Sequence, residues 1–156
     1  MVDSIINYLH LLATVVWIGG TIYITFILHP SLKAIDAQQS GKLQGIVAKK
    51  FTVTAWSSIV ILIITGFLKT PGSFLFDPSS EIGMTLLIKH VLIICGIIVG
   101  LTIALYLIPN MKKNMPKPGE ALSADFLKYS KLLKIFGSIN LLIGLVIVWL
   151  AKQLFV

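Results

Sequence analysis

Apolar residues run in four long stretches, near residues 4–28, 52–69, 83–108 and 132–152, and polar residues gather between them. About 20 apolar helical residues cross a hydrocarbon core of about 30 Å, so each stretch is of membrane-spanning length. Lipid offers the backbone no hydrogen-bond partner, and a segment of this length must close its own bonds as a helix. Strands of a membrane barrel would alternate over about ten residues, and no such alternation is present. The pattern predicts an all-α, four-helix integral membrane bundle in a single domain, residues 1–156.

The breaks between stretches carry their own signals. Lys69 and the Thr-Pro-Gly of residues 70–72 are expected to end span 2, and Pro109 to end span 3. Residues 31–50 predict a short amphipathic helix on the inner surface between spans 1 and 2. Residues 115–119, MPKPG, predict a turn. Ser123 then reads as the N-cap of a helix that runs into span 4, with Asp125 and Phe126 in its first turn. The loop at residues 70–80 holds Phe74 and Phe76, which are expected to dip into the interface.

Span 1 is apolar overall yet holds polar groups in register. At 100° per residue, Thr14, Trp17, Thr21 and Thr25 fall within about 60° of His10 around the helix axis. That stripe is expected to face protein or a cofactor, because lipid cannot satisfy it. Gly19 and Gly20 lie mid-span, where a missing side chain lets another helix or a flat ligand come close. A faint internal echo joins spans 1 and 3: His10 corresponds to His90, Gly20 to Gly100, and Pro30 to Pro109 one residue out of step. If the echo is a duplication, it is a parallel two-helix repeat about an axis along the membrane normal.

Composition narrows the class further. Only 12% of the residues are charged, against about 25% in an ordinary soluble domain. The first stretch lacks the basic leader, the short apolar core and the cleavage site expected of a signal peptide. Cys95 is the single cysteine, which excludes an internal disulfide and a multi-cysteine metal cage. The net charge is +7, and all of the basic residues are lysine. A nucleic-acid binder would use arginine forks, so the basicity reads as membrane topology, with no nucleic-acid partner. Ten of the 13 lysines fall between spans 1 and 2, between spans 3 and 4, or at the entry of span 4. By the positive-inside rule those segments face the cytoplasm of a cell membrane and both termini lie outside.

That topology decides which histidines can meet. His10 and His90 each sit about two turns in from the outer end of a span, roughly 10 Å deep at 1.5 Å per residue. His29 lies roughly 28 Å farther along the helix, at the inner edge, and reads as an interfacial cap. Two imidazoles at one depth in a bundle suit the axial positions of haem b, whose iron binds neutral imidazole well. His10 and His90 are the expected ligands, with the haem between spans 1 and 3. Lys89 is the expected partner of a propionate, and Thr14, Trp17 and Gly20 line the pocket. In the plainer alternative the two histidines bond across helices. Copper is the rival metal, with Met84, His90 and Cys95 as soft ligands. Cys95, however, lies about 140° round the helix from His90, and Met84 about a turn and a half above it.

Other features read as packing. Trp17 and Trp56 could flank a ring or a quinone, but membrane aromatics usually pack, and Trp149 fits the outer aromatic belt. Gly96 and Gly100 form a GxxxG, a packing face that would also serve a homodimer. Asn140, with Ser138, predicts an interhelix hydrogen bond in the inner half of span 4. Nucleotide loops, zinc-protease motifs, nucleophile elbows and paired carboxylates are absent, so no catalytic residue is assigned.

The run His10-Leu-Leu-Ala-Thr-Val-Val-Trp17-Ile18-Gly19-Gly20 resembles the signature of the copper-resistance D (CopD-like) membrane proteins. His10, Trp17, His29 and Lys89 are also similar to the His, Trp, second His and lysine of HemJ, a haem-containing protoporphyrinogen oxidase with four helices. Residues 22–26 hold neither the proline nor the arginine of the HemJ pattern. The resemblance implies a small haem b membrane protein with His10 as its most transferable ligand. Its expected work is redox chemistry or electron transfer, with quinone or another redox protein as partner. CopD-type copper transport and HemJ-type porphyrinogen oxidation are the alternatives.

Overall fold

The four apolar stretches are helical throughout in the computed structural model of the chain, which describes residues 2–70, 72, 78–117 and 120–154. The long helices are α1 (Val2–Tyr23), α2 (Ala37–Lys69), α3 (Glu81–Thr102) and α4 (Ala124–Gln153). No strand occurs among the described residues. With their continuations, the four membrane-spanning segments are Val2–Ala34, Gln38–Lys69, Glu81–Lys113 and Ala124–Gln153. The chain is an integral membrane four-helix protein.

Polar side chains start three of the helices by accepting from orphan backbone N–H groups. Asp36 caps α2 through Gln38 N at 2.8 Å, Ser80 caps α3 through Gly83 N at 3.1 Å, and Ser123 caps α4 through Phe126 N at 3.1 Å. The Ser123 cap and the continuous run into span 4 match the expectation from sequence. The amphipathic stretch after span 1 is helical too, but it is the first half of α2 and has no break before the membrane. Gly41 and Gly45 explain its position. A Cβ at Gly41 would stand 3.4 Å from Phe126, and one at Gly45 3.6 Å from Met115. This end of α2 therefore packs on the chain that leads from α3 into α4.

The prolines do not end spans 1 and 3. Proline lacks an N–H and collides with the carbonyl four residues back, so a helix must widen or break there. Here it widens. A π turn at Ile24–Leu28 precedes Pro30, and another at Ile103–Leu107 precedes Pro109. His29 N–H bonds Ile24 O, and Ile108 N–H bonds Ile103 O, five residues back in each case. The residue after each proline then turns back on the helix. Ser31 Oγ donates to Ile27 O and Asn110 Nδ2 donates to Tyr106 O, both at 2.7 Å. These carbonyls are one residue beyond Phe26 and Leu105, which lie four residues before the prolines. The helix continues through His29–Ser31 and Leu32–Ala34 after the first π turn, and through Ile108–Lys113 after the second.

The packing pairs repeat as well. α1 packs chiefly on α2 and α3 chiefly on α4; α1 also meets α4, and Ile108–Lys113 meets α2. α1 and α3 face each other across the bundle with little direct contact. Paired helices, matched π turns and matched capping side chains support the duplicated two-helix architecture.

Large apolar side chains cover the outside, among them Leu11, Phe26, Leu105, Leu142 and Trp149, as a lipid-facing surface requires. Inside, Trp17, Ile18 and Leu141 form one buried cluster, and Leu107, Met111, Phe126 and Leu133 another. Glycines set the close approaches. A Cβ at Gly20 would collide with the Phe51 ring, and one at Gly144 with Ile18, whereas Gly19 has open space around it. The GxxxG face is used within the chain: Gly96 lies against Asn140 and Ile143, and Gly100 against Trp56. Glu120 N bonds Lys117 O at 3.0 Å across the expected turn, whose residues 118–119 lie outside the described residues. Phe74 and Phe76 lie outside them too.

Candidate functional site

His10 is held by α2. Its Nδ1 lies 2.7 Å from Thr65 Oγ1. Thr65 is buried, and its hydroxyl donates to Ile61 O at 2.6 Å. A hydroxyl has one proton, and here the carbonyl takes it, so Oγ1 accepts from His10 Nδ1–H. With the Thr65 proton on Ile61 O the ring is the Nδ1–H tautomer with its lone pair on Nε2, the arrangement that prepares a histidine for a metal or for accepting a proton. Gly66 lies beside the ring, and a Cβ there would make an ordinary contact with His10 Cε1 at 3.8 Å. Lys69, one turn beyond Thr65, ends α2, and Lys89 lies in the first half of α3. The end of α2 and the start of α3 thus lie at the same end of the bundle as the start of α1.

The rest of the polar stripe on α1 satisfies itself or reaches the other half of the bundle. Thr14 Oγ1 donates to His10 O and Thr21 Oγ1 to Trp17 O, both at 2.8 Å. Trp17 is buried between α2 and α4 and packs with Ala55, Ile59 and Leu62. Lys89 and His90 are both half-buried at the start of α3. The contacts found for His10 are with Thr65 and Gly66, not with His90. Met84 and Cys95 are exposed on the outside of α3. No group of three or more His, Cys, Asp or Glu gathers among the described residues.

A second polar feature lies at the other end. A cavity of about 90 Å³ is lined by Thr21, Thr25 and His29 of the first span, Gln44 and Phe51 of α2, Ile103 and Ile108 beside the second π turn, and Gly137 and Asn140 of α4. Gln44 is only 5% exposed, and its Nε2 has no hydrogen-bond partner. Asn140 Oδ1 is also buried without one, so the expected interhelix bond from Asn140 does not form at that atom. Each unmet polar atom costs about 1–3 kcal/mol. His29, read from sequence as an interfacial cap, belongs to this wall.

Sequence reasoning missed Thr65 and Gln44. A threonine in an apolar helix usually bonds its own i−4 carbonyl, as Thr14, Thr21 and Thr52 do, and nothing distinguishes the one that also receives a histidine. Gln44 sits in a polar stretch that reads as surface.

Neither the curated proteins nor the solved structures compared with the chain give a match. A family model does match, over residues 12–120, which takes in Thr65, Lys89, His90, His29 and Gln44 and leaves His10 and Asn140 outside it. The chain therefore belongs to the DUF4149 family, a domain of unknown function.

Proposed function

We propose that this protein is a membrane-embedded haem b protein that works in electron transfer or small-molecule oxidation. The observation that carries the reading is the His10–Thr65 hydrogen bond, which frees Nε2 of a part-buried imidazole. A bare metal ion needs three or four protein ligands, whereas iron already held by a porphyrin needs one or two. A lone, oriented histidine fits the second case. Lys69 and Lys89 fit the propionates, since both are cations at the same end of the bundle as His10.

In this reading His10 would hold the haem iron, and His90 on α3 is the second residue that could do so. Thr65 holds the His10 tautomer, and Lys89 anchors the acidic edge of the ring. Thr14 lies one turn from His10 on the same stripe, whereas Trp17 packs with α2 and α4 and the space at Gly20 is taken by Phe51, so neither of these two backs the site. When bound, the haem supplies reversible one-electron chemistry. The lysine distribution puts the π turns at the cytoplasmic end, both termini outside and His10 in the outer half of a cell membrane.

The test is the visible spectrum of protein purified in detergent from haem-replete cells, oxidised and then reduced with dithionite. A Soret band with sharpened α and β bands on reduction is expected. His10→Ala should remove it, and Thr65→Val should weaken haem retention about 10- to 100-fold, the usual effect of losing a partner behind a metal-binding histidine. A colourless wild-type protein, or full pigment in His10→Ala, would overturn the reading.

A further inference from the structure

The cavity at the π-turn end has a composition that its own fold does not explain. Most of its wall is apolar, from Ile24, Leu28, Phe51, Ile103, Ile108 and Leu133. The polar part of the wall is Thr21, Thr25, Thr52 and His29 together with the amides of Gln44 and Asn140, and each amide has one buried atom without a partner. Gln44 Nε2 offers a donor, and Asn140 Oδ1, which lies beside Gly96 of α3, an acceptor. Both π turns border the space, one through Ile24, Thr25 and Leu28, the other through Ile103. π turns of this kind recur at functional sites. Gly137 of α4 also lines the cavity, and a Cβ there would meet nothing within 4 Å.

We propose that this cavity binds the polar edge of a membrane-soluble quinone or its quinol. The ligand must be largely apolar, because the walls are, and must offer a hydrogen-bond acceptor to Gln44 and a donor to Asn140. A ring carbonyl supplies the first and a ring hydroxyl the second, so the oxidised and reduced forms each find a partner. Both forms are uncharged, and His29 in the same wall is the group that a carboxylate would seek instead, so oleic acid is the comparison ligand. A cavity of about 90 Å³ has room for about three waters, less than a substituted ring needs. The polar edge therefore enters, and the body of the ring and its tail lie along the open side toward lipid. This site is separate from His10 and does not rest on the haem reading.

The experiment uses the full chain in nanodiscs of synthetic phosphatidylcholine, titrated with decyl-ubiquinone, with its reduced form, and in parallel with oleic acid. Saturable binding of the quinone pair is expected. Gly137→Leu, which fills the cavity, and Gln44→Leu, which removes the donor at similar volume, should each weaken it at least tenfold. Gln44→Leu should also raise the melting temperature of the ligand-free protein, because it removes an unmet buried amide. If Gly137→Leu does not fold, Gln44→Leu still decides the question. His10→Ala should bind quinone normally, so that loss of pigment and loss of this site are read separately. Absence of saturable quinone binding, equal binding by wild type and Gln44→Leu, or saturable binding of oleic acid alone would each overturn the proposal.

Discussion

At His10 one threonine hydroxyl decides which ring nitrogen is free. Thr65→Val keeps the volume and removes the acceptor, so the ring loses its tether. The expected loss of stability is about 0.6–1.5 kcal/mol, read as a lower melting temperature in detergent, and Thr65→Ser should restore most of it. An unchanged melting temperature in Thr65→Val would mean that the bond contributes nothing. The glycine pair offers a second residue-scale contrast. Gly20→Ala drives a methyl into the Phe51 ring and should destabilise by about 1–3 kcal/mol, whereas Gly19→Ala meets open space and should be neutral or mildly stabilising. Sequence alone singled out His10 because a polar ring stands out in an apolar helix. It could not separate Gly19 from Gly20, since that difference belongs to a ring 31 positions further along the chain.

Among the elements, the helices were readable from apolar length and from their caps, and the π turns were not. A proline after an apolar run signals either an end or a kink. Here both helices continue, and Ser31 and Asn110 each bond the carbonyl four residues back just after the proline. Replacing both prolines, Pro30→Ala with Pro109→Ala, restores two N–H donors and removes the reason for the wide turns. Amide exchange at residues 24–28 and 103–107 should then slow about tenfold or more. Unchanged exchange would show that the wide turns have another cause. The α2 cap gives a simpler check: Asp36→Ala should cost about 0.5–2 kcal/mol in thermal or denaturant unfolding, with the fold retained.

For the molecule as a whole, fold class followed from composition and spacing because lipid leaves so few backbone solutions. The neighbour relations did not follow. The expectation of a haem between spans 1 and 3 paired His10 with His90 by depth alone, and depth says nothing about which helices touch. In the structure α1 leans on α2, so the residue beside His10 comes from a helix that the histidine pattern never implicated. The lysine distribution makes its own whole-molecule prediction. In a Cys95→Ser background, Lys42→Cys and Lys112→Cys should react with an impermeant thiol reagent only in inverted vesicles, and Asp3→Cys only in intact cells; the reverse pattern would invert the topology.

The most direct measurement remains optical. Protein purified from haem-replete cells should carry a b-type spectrum that sharpens on reduction, is lost in His10→Ala and is weakened in Thr65→Val. A wild-type preparation without absorbance in the visible, folded and fully helical by circular dichroism, would contradict the account.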